Sequence, residues 1–125
     1  MKVVLKKSLI NINFHRTIFG GSIFSAFDPY LPTMYYHIFN MKNKKLEIWL
    51  KSANIKYVRP ARSNLYLNFR VTEEDILIAE KNLIKNGKHE KWHTIQAKNK
   101  KGEICAEAEI LIYLRDNKKE LDSNF

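Results

Sequence analysis

The feature that most restricts this chain's fold is the stretch Asn13–Asp28, where a strand-like segment gives way to a helical one across Gly20-Gly21. Upstream, residues 3–13 are rich in β-branched and apolar side chains and predict a first strand. Downstream, Ile23, Phe24, Phe27, Leu31, Met34, Tyr35, Ile38 and Phe39 recur at spacings of three and four, which predicts a helix with a wide apolar face. Paired glycines let a helix N-terminus approach a ligand with no Cβ in the way, and its first backbone N–H groups have no partner within the helix. Those donors, with the positive end of the helix dipole, suit an oxygen that is negative or becoming negative. One carboxylate, Asp28, follows seven residues after Gly21, about two turns along and too far to cap that helix.

Pro29 and Pro32 argue against one straight helix. Each lacks an N–H and leaves the carbonyl four residues back, at Ser25 and Asp28, without its helical partner. A kink or restart is therefore expected near Asp28. Plainer readings fit the same residues: a simple strand-to-helix turn at the glycines, an Asp28-Pro29 pair serving as N-cap and N1, and Asn13 satisfying a strand end.

The rest of the chain supplies a sheet. After a polar connector, Lys42–Lys45, residues 47–59 alternate as a long strand. Trp49, Ala53, Ile55 and Tyr57 fall on one side, and Ile48, Leu50 and Val58 on the other. Arg59-Pro60-Ala61-Arg62 turns the chain. Leu65, Leu67, Phe69 and Val71 then alternate with Tyr66, Asn68 and Arg70. Thr72-Glu73-Glu74-Asp75 has the form of a capping box, Ile76, Ala79, Leu83 and Ile84 give a buried helical side, and Asn86-Gly87 ends the helix. A hairpin closes the domain: a strand at 91–98, a turn at Asn99–Gly102, and a strand whose inward side is Ile104, Ala106, Ala108, Ile110, Ile112 and Leu114. Residues 116–125 read as a polar tail, leaving one domain over 1–115. Hairpin-like connections make the sheet antiparallel, and the apolar helix must cover one face. The expected class is α+β, an antiparallel sheet wrapped around a long central helix.

Composition narrows the function. A chain of 125 residues, 45% apolar with seven Phe and six Tyr, holds a single real core. No apolar run is long enough to span a membrane, and Lys2, Lys6 and Lys7 interrupt the first apolar residues, so neither an anchor nor a signal peptide is expected and the location is read as cytoplasmic. Cys105 is the one cysteine, which removes disulfide frameworks and cysteine-rich metal sites. His89 and His93 are four apart on a strand, which does not reproduce a helical metal-binding pair; no metal is expected. The net charge of +9 comes from 17 Lys and only 5 Arg, scattered rather than clustered, so nucleic acid is not the expected partner. Such a surface still favours a phosphate-bearing ligand or an acidic carrier protein. Ser22 and Ser25 lack the context of a serine hydrolase.

The element order and the 13–28 stretch together resemble the hotdog-fold thioesterases, above all the phenylacetate-pathway type and a related group of uncharacterised members. The better-known group carries Asn, then His-Gly-Gly six residues on, then an acidic residue on the central helix. Here Asn13 is followed six residues later by Phe19-Gly20-Gly21, and Asp28 falls at the carboxylate position. The resemblance implies that the Gly21 N–H stabilises the oxyanion of a thioester, that Asp28 acts as general base or nucleophile, and that Asn13 orients the carboxylate or the water. It places Phe19, Gly20 and Ser22 at the substrate. It also implies an active site between subunits, hence a homodimer or a dimer of dimers, with coenzyme A entering only as part of the substrate and no resident cofactor. Arg59 and Arg62 flank a turn and are either phosphate-binding residues for a CoA or pantetheine substrate or solvated turn residues. Phe19 stands where the family has His, which removes a polar side chain but leaves the backbone donors. That departure keeps a non-catalytic acyl-thioester sensor in play, alongside a basic nucleic-acid-associated domain.

Overall fold

The alternating stretches of the sequence become strands of one sheet. The computed structural model describes residues 1–6, 27 and 29–116. Its elements are β1 (Lys2–Leu5), α1 (Tyr30–Met41), β2 (Glu47–Tyr57), β3 (Leu65–Asn68), α2 (Glu73–Asn86), β4 (Lys88–Lys98) and β5 (Ile104–Arg115). All strand pairs are antiparallel, in the order β1-β3-β4-β5-β2. The class is thus α+β, a five-stranded antiparallel sheet with two helices. Of the longer central helix expected from Gly20 onwards, the described residues include Phe27, which is helical, and α1.

The core lies between the helices and one face of the sheet. Leu31, Tyr35 and Phe39 of α1 are buried at four-residue spacing, in one cluster with Phe27. Leu65, Leu67 and Phe69 are buried as their alternation predicts, and so are Ala106, Ala108, Ile110, Ile112 and Leu114 of β5. Small residues on adjacent strands, with Ala97 opposite Ala106 and Ile95 opposite Ala108, leave room above the sheet for the large side chains.

Three local readings change. Pro29 takes the N-cap position of α1, with no side-chain cap, and Pro32 sits inside the first turn. Pro32 breaks nothing there because first-turn N–H groups have no helical partner in any case. In β2 the register slips between Leu50 and Ser52, so Lys51 is an extra residue. The bulge reverses the strand's phase. Ile48 and Leu50 therefore join Ala53 and Ile55 on the half-buried face, while Trp49 turns outward and lies 4.5 Å from the Tyr113 ring. Finally, Ile84 is exposed; Ile76, Ala79 and Leu83 alone bury α2.

The start and stop signals of this helix hold. Thr72 Oγ1 accepts from Asp75 N–H at 3.1 Å, and the Asp75 carboxylate accepts from Thr72 N–H at 3.0 Å. Gly87 closes the helix in the left-handed region at φ 75°. Thr72→Ala removes one acceptor of the box and is expected to cost about 1 kcal/mol of stability, read as a lower urea midpoint.

Candidate functional site

Most of the residues that the sequence singles out lie outside the described residues: Asn13, Phe19, Gly20, Gly21, Ser22 and Asp28. Their described neighbours are Phe27, fully buried in the core, and Pro29, at the start of α1. Of the aromatic residues on this segment, Tyr35 and Phe39 are core, while Tyr36 is exposed.

The two arginines have different surroundings. Arg59 is bound down: its Nε donates to the Ile104 carbonyl at 2.9 Å and its guanidinium meets Glu103 at 2.6 Å. It thereby ties the end of β2 to the β4–β5 hairpin, and a phosphate would have to compete with Glu103 for it. Arg62 is exposed beside buried Ala61. Cys105 is buried, and burial, ahead of the neighbouring charges, raises its thiol above the ordinary range, which fits an inert thiol.

The structure brings together a polar cluster inside the core. β4 turns His89, Lys91 and His93 toward α1 and α2, with His89 and His93 buried. Tyr35 Oη lies 2.7 Å from His93 Nε2, linking α1 to the centre of the sheet. Burial, then the Asp75 charge, raises the Tyr35 pKa, so the phenol stays protonated and shares a hydrogen bond with the imidazole. The Asn82 amide lies 2.8 Å from His89 Nδ1 and donates to it, which leaves the ring proton on Nε2. That Nε2 is buried without a hydrogen-bond partner. Asp75 lies 3.9 Å from Lys91 Nζ; burial opposes its ionisation, but the Thr72 hydrogen bonds and the His93 and Lys91 charges together outweigh burial and lower its pKa. The equal parity of 89 and 93 on one strand signals a shared face. Which face is covered by a helix is not written in that parity. Among the described residues no cluster of His, Cys, Asp or Glu is arranged to hold a metal ion.

Chemically, this cluster joins a helix to a strand rather than offering an open site. It predicts acid lability. Burial first, then Lys91, lowers the His89 pKa; burial again leads for His93. The fold therefore favours neutral imidazoles and the unfolded chain binds more protons as pH falls. Their stability contribution is complete above the unfolded value of 6.5 and is lost as pH falls from there through the lower folded values. Urea midpoints should fall between pH 8 and pH 5, and less so in His93→Gln, whose amide can still hydrogen-bond Tyr35 but does not titrate.

The strand order and the two helices define a class: an α+β fold with one five-stranded antiparallel sheet. Three solved structures share it. One is PA5026 from Pseudomonas aeruginosa, described as a "Probable Thioesterase", 20% identical over 91% of this chain and 74% of its own, with a TM-score of 0.73. The second is BH2602 from Bacillus halodurans, solved with CoA, at 14% identity, 90% and 66% coverage and a TM-score of 0.57. The third is PaaI of the Escherichia coli phenylacetic acid degradation operon, at 15%, 89% and 69%, with 0.53. At these identities the likeness is one of fold. Within that fold the chain belongs to the family described as Domain of unknown function (DUF4442), whose model matches residues 1–114. No curated protein matches the chain. No helix among the described residues is long and apolar enough to cross a membrane.

Proposed function

We propose that this protein hydrolyses an acyl thioester, carried by coenzyme A or an acyl carrier protein, in a groove between two subunits. The observation that carries the reading is the coincidence of fold and motif. The fold is shared with structures described as probable thioesterases and with another solved with CoA. The Asn13, Gly20-Gly21 and Asp28 constellation immediately precedes α1. In this reading Asp28 takes a proton from water, which attacks the thioester carbonyl. The Gly21 N–H stabilises the tetrahedral oxyanion, Asn13 orients the water or carboxylate, and collapse expels the thiolate, which takes the proton held by Asp28, leaving a carboxylic acid and a thiol. Phe19, Gly20 and Ser22 border the acyl group, and Arg62, with Arg59 if it parts from Glu103, meets the substrate's phosphates.

Phe19 at the family's His position favours one second reading, a module that binds acyl thioesters without turning them over. Thiol release from short, long and aromatic acyl-CoAs tests the first. Saturable acyl-CoA binding with no thiol released would favour the second. Sedimentation of the intact chain tests the dimer.

A further inference from the structure

We propose that the opening between β3 and β4 on the outer face of the sheet is a binding groove for a nucleoside phosphate. The inference does not rest on the hydrolase reading, since it concerns the face away from the helices. β4 has eleven residues and β3 four, and their ladder holds only two pairs, Tyr66↔Lys98 and Leu67↔Ala97. Where it stops, a groove of about 860 Å³ opens between β1 and β3 on one side and β4 on the other, within the size range of small-molecule sites.

Its lining has one sign of charge. Among the described residues that line it, Lys2, Lys98 and Lys100 are charged and none is a carboxylate. None of the three enters an ion pair among the described residues, although Glu103, close by in sequence, is paired with Arg59. Lys100 is held on a set turn: Asn99 Oδ1 accepts from Lys101 N–H at 3.0 Å and from Glu103 N–H at 2.9 Å, and Gly102 takes φ +81°. Three unpaired ammonium groups around one concavity suit a phosphorylated ligand better than a single carboxylate.

An aromatic residue meets the charge. The register sets Val4, Tyr66 and Lys98 side by side across three strands, and Tyr66 is 40% exposed. A half-exposed tyrosine beside Lys98 gives a planar base a stacking surface, and its phosphates a counter-charge. Thr94 and Gln96 add hydrogen-bonding groups along β4; the Gln96 amide already donates to Glu107 at 3.0 Å, leaving its carbonyl to accept from a base or a ribose. The ligand is a nucleoside phosphate, either a free nucleotide or the nucleotide end of coenzyme A.

Calorimetric titration of the intact protein with ADP, ATP, CoA and pantetheine tests this. Saturable binding of ADP is expected, weakened by about tenfold or more in Lys98→Glu and in Lys100→Glu, the latter on an exposed turn where folding is not at stake. Tyr66→Ala should weaken ADP but not inorganic phosphate, and Thr72→Ala, on the opposite face, should change neither. CoA displacing ADP while pantetheine does not would assign the groove to the nucleotide end of CoA. ADP bound without competition from CoA would assign it to a free nucleotide. Absence of binding by every mononucleotide, binding indifferent to both charge reversals, or binding confined to long single-stranded oligonucleotides would each overturn the proposal, and none of these depends on thioester turnover.

Discussion

Asp28→Asn is expected to lower thioester hydrolysis by about a hundredfold to ten-thousandfold, the range for removing a general base, while leaving the fold intact. Asparagine keeps the size and shape of the side chain and its capacity to accept a hydrogen bond, so only basicity is lost. A structural role would behave otherwise. Asn serves about as well as Asp at a helix N-cap, and the N-cap of α1 is in any case Pro29. A purely structural Asp28 would thus give a variant with unchanged urea midpoint and unchanged turnover. The measurement is thiol release against the best acyl-CoA of the wild-type panel, with kcat and KM separated. Activity that survives the substitution would move the base to another residue. If wild type and variant bind acyl-CoA equally and release no thiol, the hydrolase reading falls and the sensor stands.

The largest effect on stability is expected from Phe39→Ala, about 3–5 kcal/mol. Phe39 is 1% exposed and ends the buried row Phe27, Leu31, Tyr35 and Phe39. Truncation removes the transfer free energy of the ring and leaves a cavity that a close-packed core closes only in part. Domains of this kind are held by roughly 5–15 kcal/mol in total, so the variant approaches the threshold of folding. The urea midpoint should drop with the slope of the transition unchanged. Met41→Ala, on the same helix but at a residue 83% exposed, should stay within about 0.5 kcal/mol of wild type. Equal losses in the two variants would mean that the packed face of α1 is not the one described.

Sequence alone determined what depends on local rules. The alternation of Leu65, Leu67 and Phe69, the four-residue spacing of Leu31, Tyr35 and Phe39, the Thr72–Asp75 box and the Gly87 stop are each legible because strand pleat, helix pitch and cap geometry act over a few neighbouring residues. The element order followed from these, and with it the resemblance to the thioesterase fold. The Asn13, Gly20-Gly21 and Asp28 constellation is likewise a matter of residue types and spacing, and it still rests there.

Tertiary structure decided what depends on partners distant in sequence. The bulge at Lys51 leaves no mark in its own residues; it is set by pairing with β5, and it moves Trp49 from the face it seemed to share with Ala53 to the opposite one. Arg59 looked available until Glu103, 44 residues away, closed on it. His89 and His93 read as ordinary strand residues, yet the helices cover their face, and Tyr35, 58 residues from His93, becomes its hydrogen-bond partner. The short β3 against the long β4 opens a groove that no single strand announces. A one-dimensional pattern fixes which way a side chain points along its own element; what it meets there is fixed by the elements that fold over it.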